Sequence, residues 1–249
     1  MSFHDHFSTQ SAAYAQYRPN YPAALFDWLA AVAPAHGLAW DAATGNGQAA
    51  LELAARFDRV IATEPSAGQL ANAPRRPNID YRQEPAERSS LPDGGADLVT
   101  VAQALHWFDL PAFLAEAGRV LAPGGVLAVW CYEVFRCEPA VDALVSDYYH
   151  AVVGSYWPPE RRWVEQGYAG LELPFAPLAA PEFEMALDWT LDALVGYLGT
   201  WSATQRYKDD KGIDPLPALR ERLLAAWGDP AQPRRVAWPL TVRACRKPA

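Results

Sequence analysis

"DAATGNGQAALELAARFDRVIATEP", residues 41–65, decides the fold. A short apolar strand runs into a glycine turn, an amphipathic run follows, and a second apolar strand ends on an acid, Glu64. Gly45, Gly47 and Ala50 fit the spacing G-x-G-x-x-[G/A], with Glu64 about twenty residues on. Glycine at such a turn brings the backbone close to a ligand because no Cβ intrudes. The helix that follows offers unpaired N–H groups. An acid at the end of the next strand is placed to accept hydrogen bonds from ribose hydroxyls.

Outward from this unit the same rhythm continues. "LAWDAA", "RVIATE", "IDYRQE", "ADLVTVAQA" and "GGVLAVWCYE" read as five strands, with helices at "QAALELAARF", "SAGQLANA" and "LPAFLAEAGRVL". Continuous apolar strands suit a sheet covered on both faces, and βα alternation gives parallel strands with right-handed crossovers. "EFEMAL" and "VAWPLTVRAC" supply a sixth and a last strand, and Pro239 in the latter predicts an edge or a bulge. The expected architecture is α/β, a doubly wound, mostly parallel sheet of seven strands in a single domain. Residues 1–38 form an N-terminal helical arm in two short helices, with Tyr14, Tyr17, Leu25, Trp28 and Leu29 on their apolar side. Residues 39–132 form the ligand-binding core and 182–249 the C-terminal strands and helices. Residues 133–181, with "SYWPPERRW" and "LPFAPLAAP", lose the alternation and read as a cap over the open end of the sheet.

Bulk properties narrow the function. The chain has 249 residues, 51% apolar and 20% charged, as expected of a globular protein. A net charge of −8 argues against nucleic acid as a partner. Three cysteines without C-x-x-C spacing give neither a disulfide framework nor a zinc site and suit a reducing cytoplasm. "MSFHDHFSTQ" lacks the pattern of a secretory signal, and no apolar run is long enough for a membrane span. His4 and His6 lack a third ligand, so no metal is expected. "RRP" at Arg75 and Arg76 and "ERR" at Arg161 and Arg162 read as solvated faces.

Two ligands fit the loop, a nicotinamide dinucleotide and S-adenosylmethionine. Asp41 separates them: an acid before the glycines repels a diphosphate but pairs with the cationic methionine end of a sulfonium cofactor. With Asp41, Gly45, Gly47 and Glu64 in place, the chain resembles the class I S-adenosylmethionine-dependent methyltransferases. "YRQEPAERSSLPDGGADLV" and "RVLAPGGVLAVW" resemble two further segments of that family, so the likeness covers residues 41–130. "YAQYRPNYPAALFDWL", "AQALHWFD" and "GYLGTWSATQRY" resemble the small-molecule methyltransferases related to trans-aconitate methyltransferase. That subgroup esterifies carboxylates of small acids. Ala43 departs from the glycine usual at its position.

The resemblance implies a Rossmann-like methyltransferase fold and S-adenosylmethionine as cofactor. Asp41, Ala43, Gly45 and Gly47 would line its methionine end, Glu64 its ribose, and Pro65, Ala86 and Glu87 its adenine. Gln103 would lie near the sulfonium, and Arg18 would reach the cofactor carboxylate. The acceptor is then a small molecule, with a carboxylate as one option. A carboxylate is ionised at neutral pH and needs no base, whereas a hydroxyl or amine does. His106 is the candidate base; the alternative for it is a packed or positioning histidine. Tyr21, Trp107, Trp130 and Trp201 are candidate walls of the acceptor pocket, and Arg206 a candidate partner for an acceptor carboxylate. A nicotinamide-dependent oxidoreductase and a binding module without turnover remain the rival readings.

Overall fold

A computed structural model describes residues 19–249. Arg18, His4, His6, Tyr14 and Tyr17 lie outside the described residues.

Five parallel strands carry the core: β1 (Leu38–Ala42), β2 (Arg59–Thr63), β3 (Ile79–Arg82), β4 (Ala96–Ala102) and β5 (Leu121–Tyr132). They lie in the order β3-β2-β1-β4-β5, so the winding reverses between β1 and β4. In open sheets the ligand crevice forms at the carboxyl ends of the strands at such a reversal. The "LAPGG" segment is a loop within β5, between the pairs Ala96↔Leu121 and Leu98↔Val126. Gly125 sits there with Ala122 O 2.8 Å from where a Cβ would be.

Alternation along β5 sends Val126, Ala128 and Trp130 to one core and Leu127, Val129 and Cys131 to the other. The first core packs under α1 (Ala23–Val32) and α2 (Gln48–Ala54). After β2 come the short α3 (Ala67–Ala71) and then β3. The second core packs under α4 (Leu110–Val120), whose Phe113, Ala117 and Val120 recur at helical spacing. Asp109 caps α4 by accepting from Ala112 N at 3.2 Å, with Pro111 in its first turn.

Past β5 the expectation of seven strands is corrected to eight among the described residues. β6 (Ala176–Leu178) and β7 (Phe183–Trp189) both pair antiparallel with β8 (Arg234–Arg246), which inserts beside β5. Three residues of "FAPLAAP" were too few and too proline-rich to read as a strand. Pairing of β8 with β5 begins at Leu240, one residue after Pro239, while Pro239 itself stands opposite Glu184 of β7.

The segment 133–181 also holds helices that its irregular sequence hid, α5 (Pro139–Asp147) and α6 (Arg161–Glu165), with a π-turn at Tyr148–Val152. Three helices follow β7: α7 (Leu191–Gly199), α8 (Ser202–Lys211) and α9 (Leu216–Trp227). Their buried faces, with Leu194, Tyr197, Leu219, Leu223 and Trp227, extend the first core. α8, "SATQRYKDDK", is polar almost all round and was not anticipated.

Candidate active site

The glycine turn is held by its own side chains. Asp41, 1% exposed, stands opposite Thr100 on β4. Its carboxylate accepts from Thr100 Oγ1 at 2.7 Å and Thr44 Oγ1 at 2.5 Å. Burial raises its pKa to about 6, opposed by the hydrogen bonds from Thr44, Thr100 and the backbone of Ala50. Asp41 therefore ties β1, β4 and the turn together, and a cation brought alongside would favour its ionised form.

Three residues of the turn have positive φ: Ala43 (52°), Gly45 (58°) and Gly47 (85°). The departure at Ala43 has a physical meaning, because an L-residue held there stores on the order of 1 kcal/mol that glycine would not. The two glycines do different work. A Cβ on Gly45 would meet nothing within 4 Å, so its backbone faces open space. A Cβ on Gly47 would lie 2.5 Å from the Tyr81 hydroxyl, which donates to Pro74 O.

Glu64, 7% exposed, closes the turn from β2. Its Oε2 accepts from Gly45 N at 3.1 Å and its Oε1 from Ser66 N at 3.0 Å. Pro65 follows, its carbonyl accepting from Gln83 Nε2. Ala86 is buried, and Glu87 accepts from Asp109 N at 3.0 Å, so this carboxylate also fixes the start of α4.

At the end of β4, Gln103 has φ 56° and an amide paired at both its nitrogen and its oxygen. Its Nε2 donates to Tyr132 O at 3.1 Å, and its Oε1 accepts from Tyr132 N at 2.8 Å. The side chain prolongs the β4–β5 ladder and sets the spacing of the two strand ends. His106 follows in the turn Leu105–Trp107. Burial and then the Arg161 charge lower its pKa to about 3, so at neutral pH it is uncharged and a very weak base. Burial and the Arg161 charge both oppose the imidazolium that proton abstraction would create, which bears on the general-base expectation for His106. Its Nδ1 lies 3.4 Å from the Tyr168 hydroxyl.

The candidate walls separate. Trp107 is 40% exposed beside the His106 ring. Trp130 is wholly buried, edge-to-face with Tyr21 and Phe26, because its position on β5 points into the first core. Trp130 is thus core packing rather than pocket wall, and the partly buried Tyr21 packs against it. Trp201 belongs to an aromatic cluster with Tyr149 and Trp157, its ring 5.5 Å from each. Arg206 donates to Tyr156 O at 3.3 Å and ties α8 to the cap.

Sequence reasoning passed over Arg161. The cap folds it onto the Trp157 and Tyr149 rings, 5.0 and 5.8 Å from their centroids, while Arg162 is exposed. α6 packs against the turn Leu105–Trp107, which brings Arg161 to the carboxyl edge of the sheet. Only its distance along the chain hid it, since nothing local marks one arginine of a pair as the packed one.

The loop fits S-adenosylmethionine: open backbone at Gly45, a buried acid before the turn, and a second acid bridging its far side. A methyltransferase-domain family model matches residues 40–129. A candidate methyltransferase of Dictyostelium discoideum is 35% identical over 233 residues, 90% of this chain and 87% of that protein. The structure of a candidate type II methyltransferase from Anaeromyxobacter dehalogenans is 47% identical, with a TM-score of 0.88. It covers 94% of this chain and 100% of that one. Haemonchus contortus phosphoethanolamine N-methyltransferase 2, solved with phosphomonomethylethanolamine and S-adenosylhomocysteine, shares the fold at 17% identity and a TM-score of 0.52. The match covers 100% of this chain and 61% of that one. By its turn, its strand order and these relatives, the chain belongs to the class I S-adenosylmethionine-dependent methyltransferases.

Proposed function

We propose that the chain methylates an oxygen of a small carboxylic acid held at the carboxyl ends of β4 and β5. The observation that carries this reading is the setting of His106, a half-buried imidazole 3.4 Å from the Tyr168 hydroxyl with no carboxylate hydrogen-bonded to it among the described residues. Its base is suppressed to a pKa of about 3, and burial raises the proton affinity of the Cys131 thiol, to about 12, and of the Tyr149 and Tyr168 hydroxyls. Such surroundings are poorly suited to taking a proton from a hydroxyl or an ammonium. A carboxylate has already lost its proton at neutral pH. The resemblance of "AQALHWFD" and "GYLGTWSATQRY" to relatives of trans-aconitate methyltransferase points the same way.

S-adenosylmethionine, when bound, supplies a sulfonium methyl that an acceptor oxygen takes by in-line displacement, the electron pair of the broken bond staying on sulfur. The chain's own part is alignment and exclusion of water. Glu64 holds the ribose hydroxyls and Asp41 attracts the methionine ammonium. Gln103 fixes the gap between the strand ends, and neutral His106 with Trp107 flanks the acceptor. Pro65, Ala86 and Glu87 border the adenine. No proton needs to move.

The test is transfer from methyl-labelled S-adenosylmethionine to a panel of small carboxylic acids, phenols and amines. Label in an alkali-labile ester is the expected result. Label confined to alkali-stable ethers or methylamines contradicts the reading.

A further inference from the structure

Arg161 lies in the helix that packs on the turn after β4, and several observations bear on its role. Its guanidinium lies over the Trp157 and Tyr149 rings, themselves stacked 4.8 Å apart. Its Nε donates to the Tyr149 hydroxyl at 2.9 Å, and that hydroxyl donates to Glu165 at 2.5 Å. The group is thus fixed in plane and position from the Nε side. Its terminal nitrogens, whose spacing matches the two oxygens of a carboxylate, donate to no described residue. The Arg161 charge acts on groups from both strand ends and from the cap: His106 after β4, Cys131 and Glu133 at β5, and Tyr149 and Tyr168. Acids nearby are Glu165, engaged by Tyr149, and Glu133, whose own pKa is raised by burial first and by Glu165 among its neighbours.

We propose that the Arg161 fork anchors a carboxylate of the acceptor, with the Trp157 ring and the aromatic cluster behind it as an apolar wall. Arg161 is then the residue that selects anionic acceptors. This rests on the acceptor reading above and deepens it. A stacked guanidinium is pre-organised, so little freedom is lost when a carboxylate docks on it. An amide of the same shape would lose the charge-assisted pair and keep only the wall contact.

The test is calorimetry on the full chain saturated with S-adenosylhomocysteine. The probes are benzoate, phenylacetate and short aliphatic mono- and dicarboxylates, each paired with its neutral amide. In the native chain at least one acid should bind roughly 10- to 100-fold tighter than its amide. R161Q should abolish that preference, and R161K, which keeps the charge but not the fork, should restore part of it. Both should bind S-adenosylhomocysteine as the native chain does, which shows that they are folded. No preference for acids in the native chain, or a preference that survives R161Q, overturns the proposal. If acids bind through Arg161 but receive no methyl group, the acceptor reading falls and the anion site stands. If acids are methylated and R161Q changes nothing, the reverse holds.

Discussion

The cofactor turn and the cap are built on opposite principles. In the turn, residues 41–65, two buried carboxylates hold the backbone open: Asp41 between Thr44 and Thr100, Glu64 between Gly45 and Ser66. In the cap, rings do the holding: Tyr149 and Trp157 pack with Trp201 of the C-terminal segment, and Arg161 lies over the first two. The turn is polar and, apart from Thr100, closed by residues near it in sequence; in the proposed reading it meets the cofactor that the family shares. The cap is closed by rings far apart in sequence, and in the proposed reading it faces the methyl acceptor.

That contrast can be broken first where the expected effect is largest, at the C-terminal ring that backs the cap. Trp201 is 4% exposed and touches Tyr148, Tyr149, Trp157 and Tyr197. Trp201→Ala should cost about 3–5 kcal/mol in denaturant unfolding. A loss below about 1 kcal/mol would mean that the aromatic cluster is loosely packed.

Glu64→Ala comes next. It leaves the Gly45 and Ser66 N–H groups without their acceptor, which should cost about 2–3 kcal/mol of stability. Calorimetry should also show S-adenosylhomocysteine binding weakened roughly 100-fold, because the proposed charged acceptor for the ribose is lost with it. Unchanged affinity would assign Glu64 to the fold alone.

Asp41 gives an effect that depends on pH. Its folded pKa, raised by burial to about 6 from 3.8, means that the folded chain holds this proton more tightly than the unfolded one. The resulting stabilisation is complete below pH 3.8 and is lost as pH rises through about 6. It amounts to up to about 3 kcal/mol. Unfolding measured between pH 4 and 7 should show that slope in the native chain and not in D41N. Cofactor affinity should rise over the same interval as the carboxylate ionises beside the methionine ammonium.

The smallest effect is at Ala43. Ala43→Gly relieves its φ of 52°, and, against the added freedom of the unfolded chain, should stabilise by about 0.5 kcal/mol. A destabilisation would show that the methyl group makes a contact that outweighs the backbone strain.

The same contrast explains what was legible in the sequence. Strands β1 to β5 and the helices between them could be read because apolar runs alternate with amphipathic ones, and the turn because its glycines and acids lie within 25 letters. The partner that buries Asp41 could not: Thr100 is 59 residues away and meets it only through the β1–β4 register. Arg206 was chosen and Arg161 passed over for the same reason. The aromatic cluster that fixes Arg161 is gathered from Tyr149, Trp157 and Trp201, which share no local pattern. α8 escaped notice because a helix polar on nearly every side has no period to detect.

The most direct test of the division of labour between turn and cap is a steady-state comparison of Glu64→Gln and Arg161→Gln, with both substrates varied. E64Q should raise the KM for S-adenosylmethionine roughly 10-fold or more and leave the KM of the carboxylic acid unchanged. R161Q should do the opposite. If either variant raises both constants equally, cofactor and acceptor are not held by separate parts of the molecule, and the account fails.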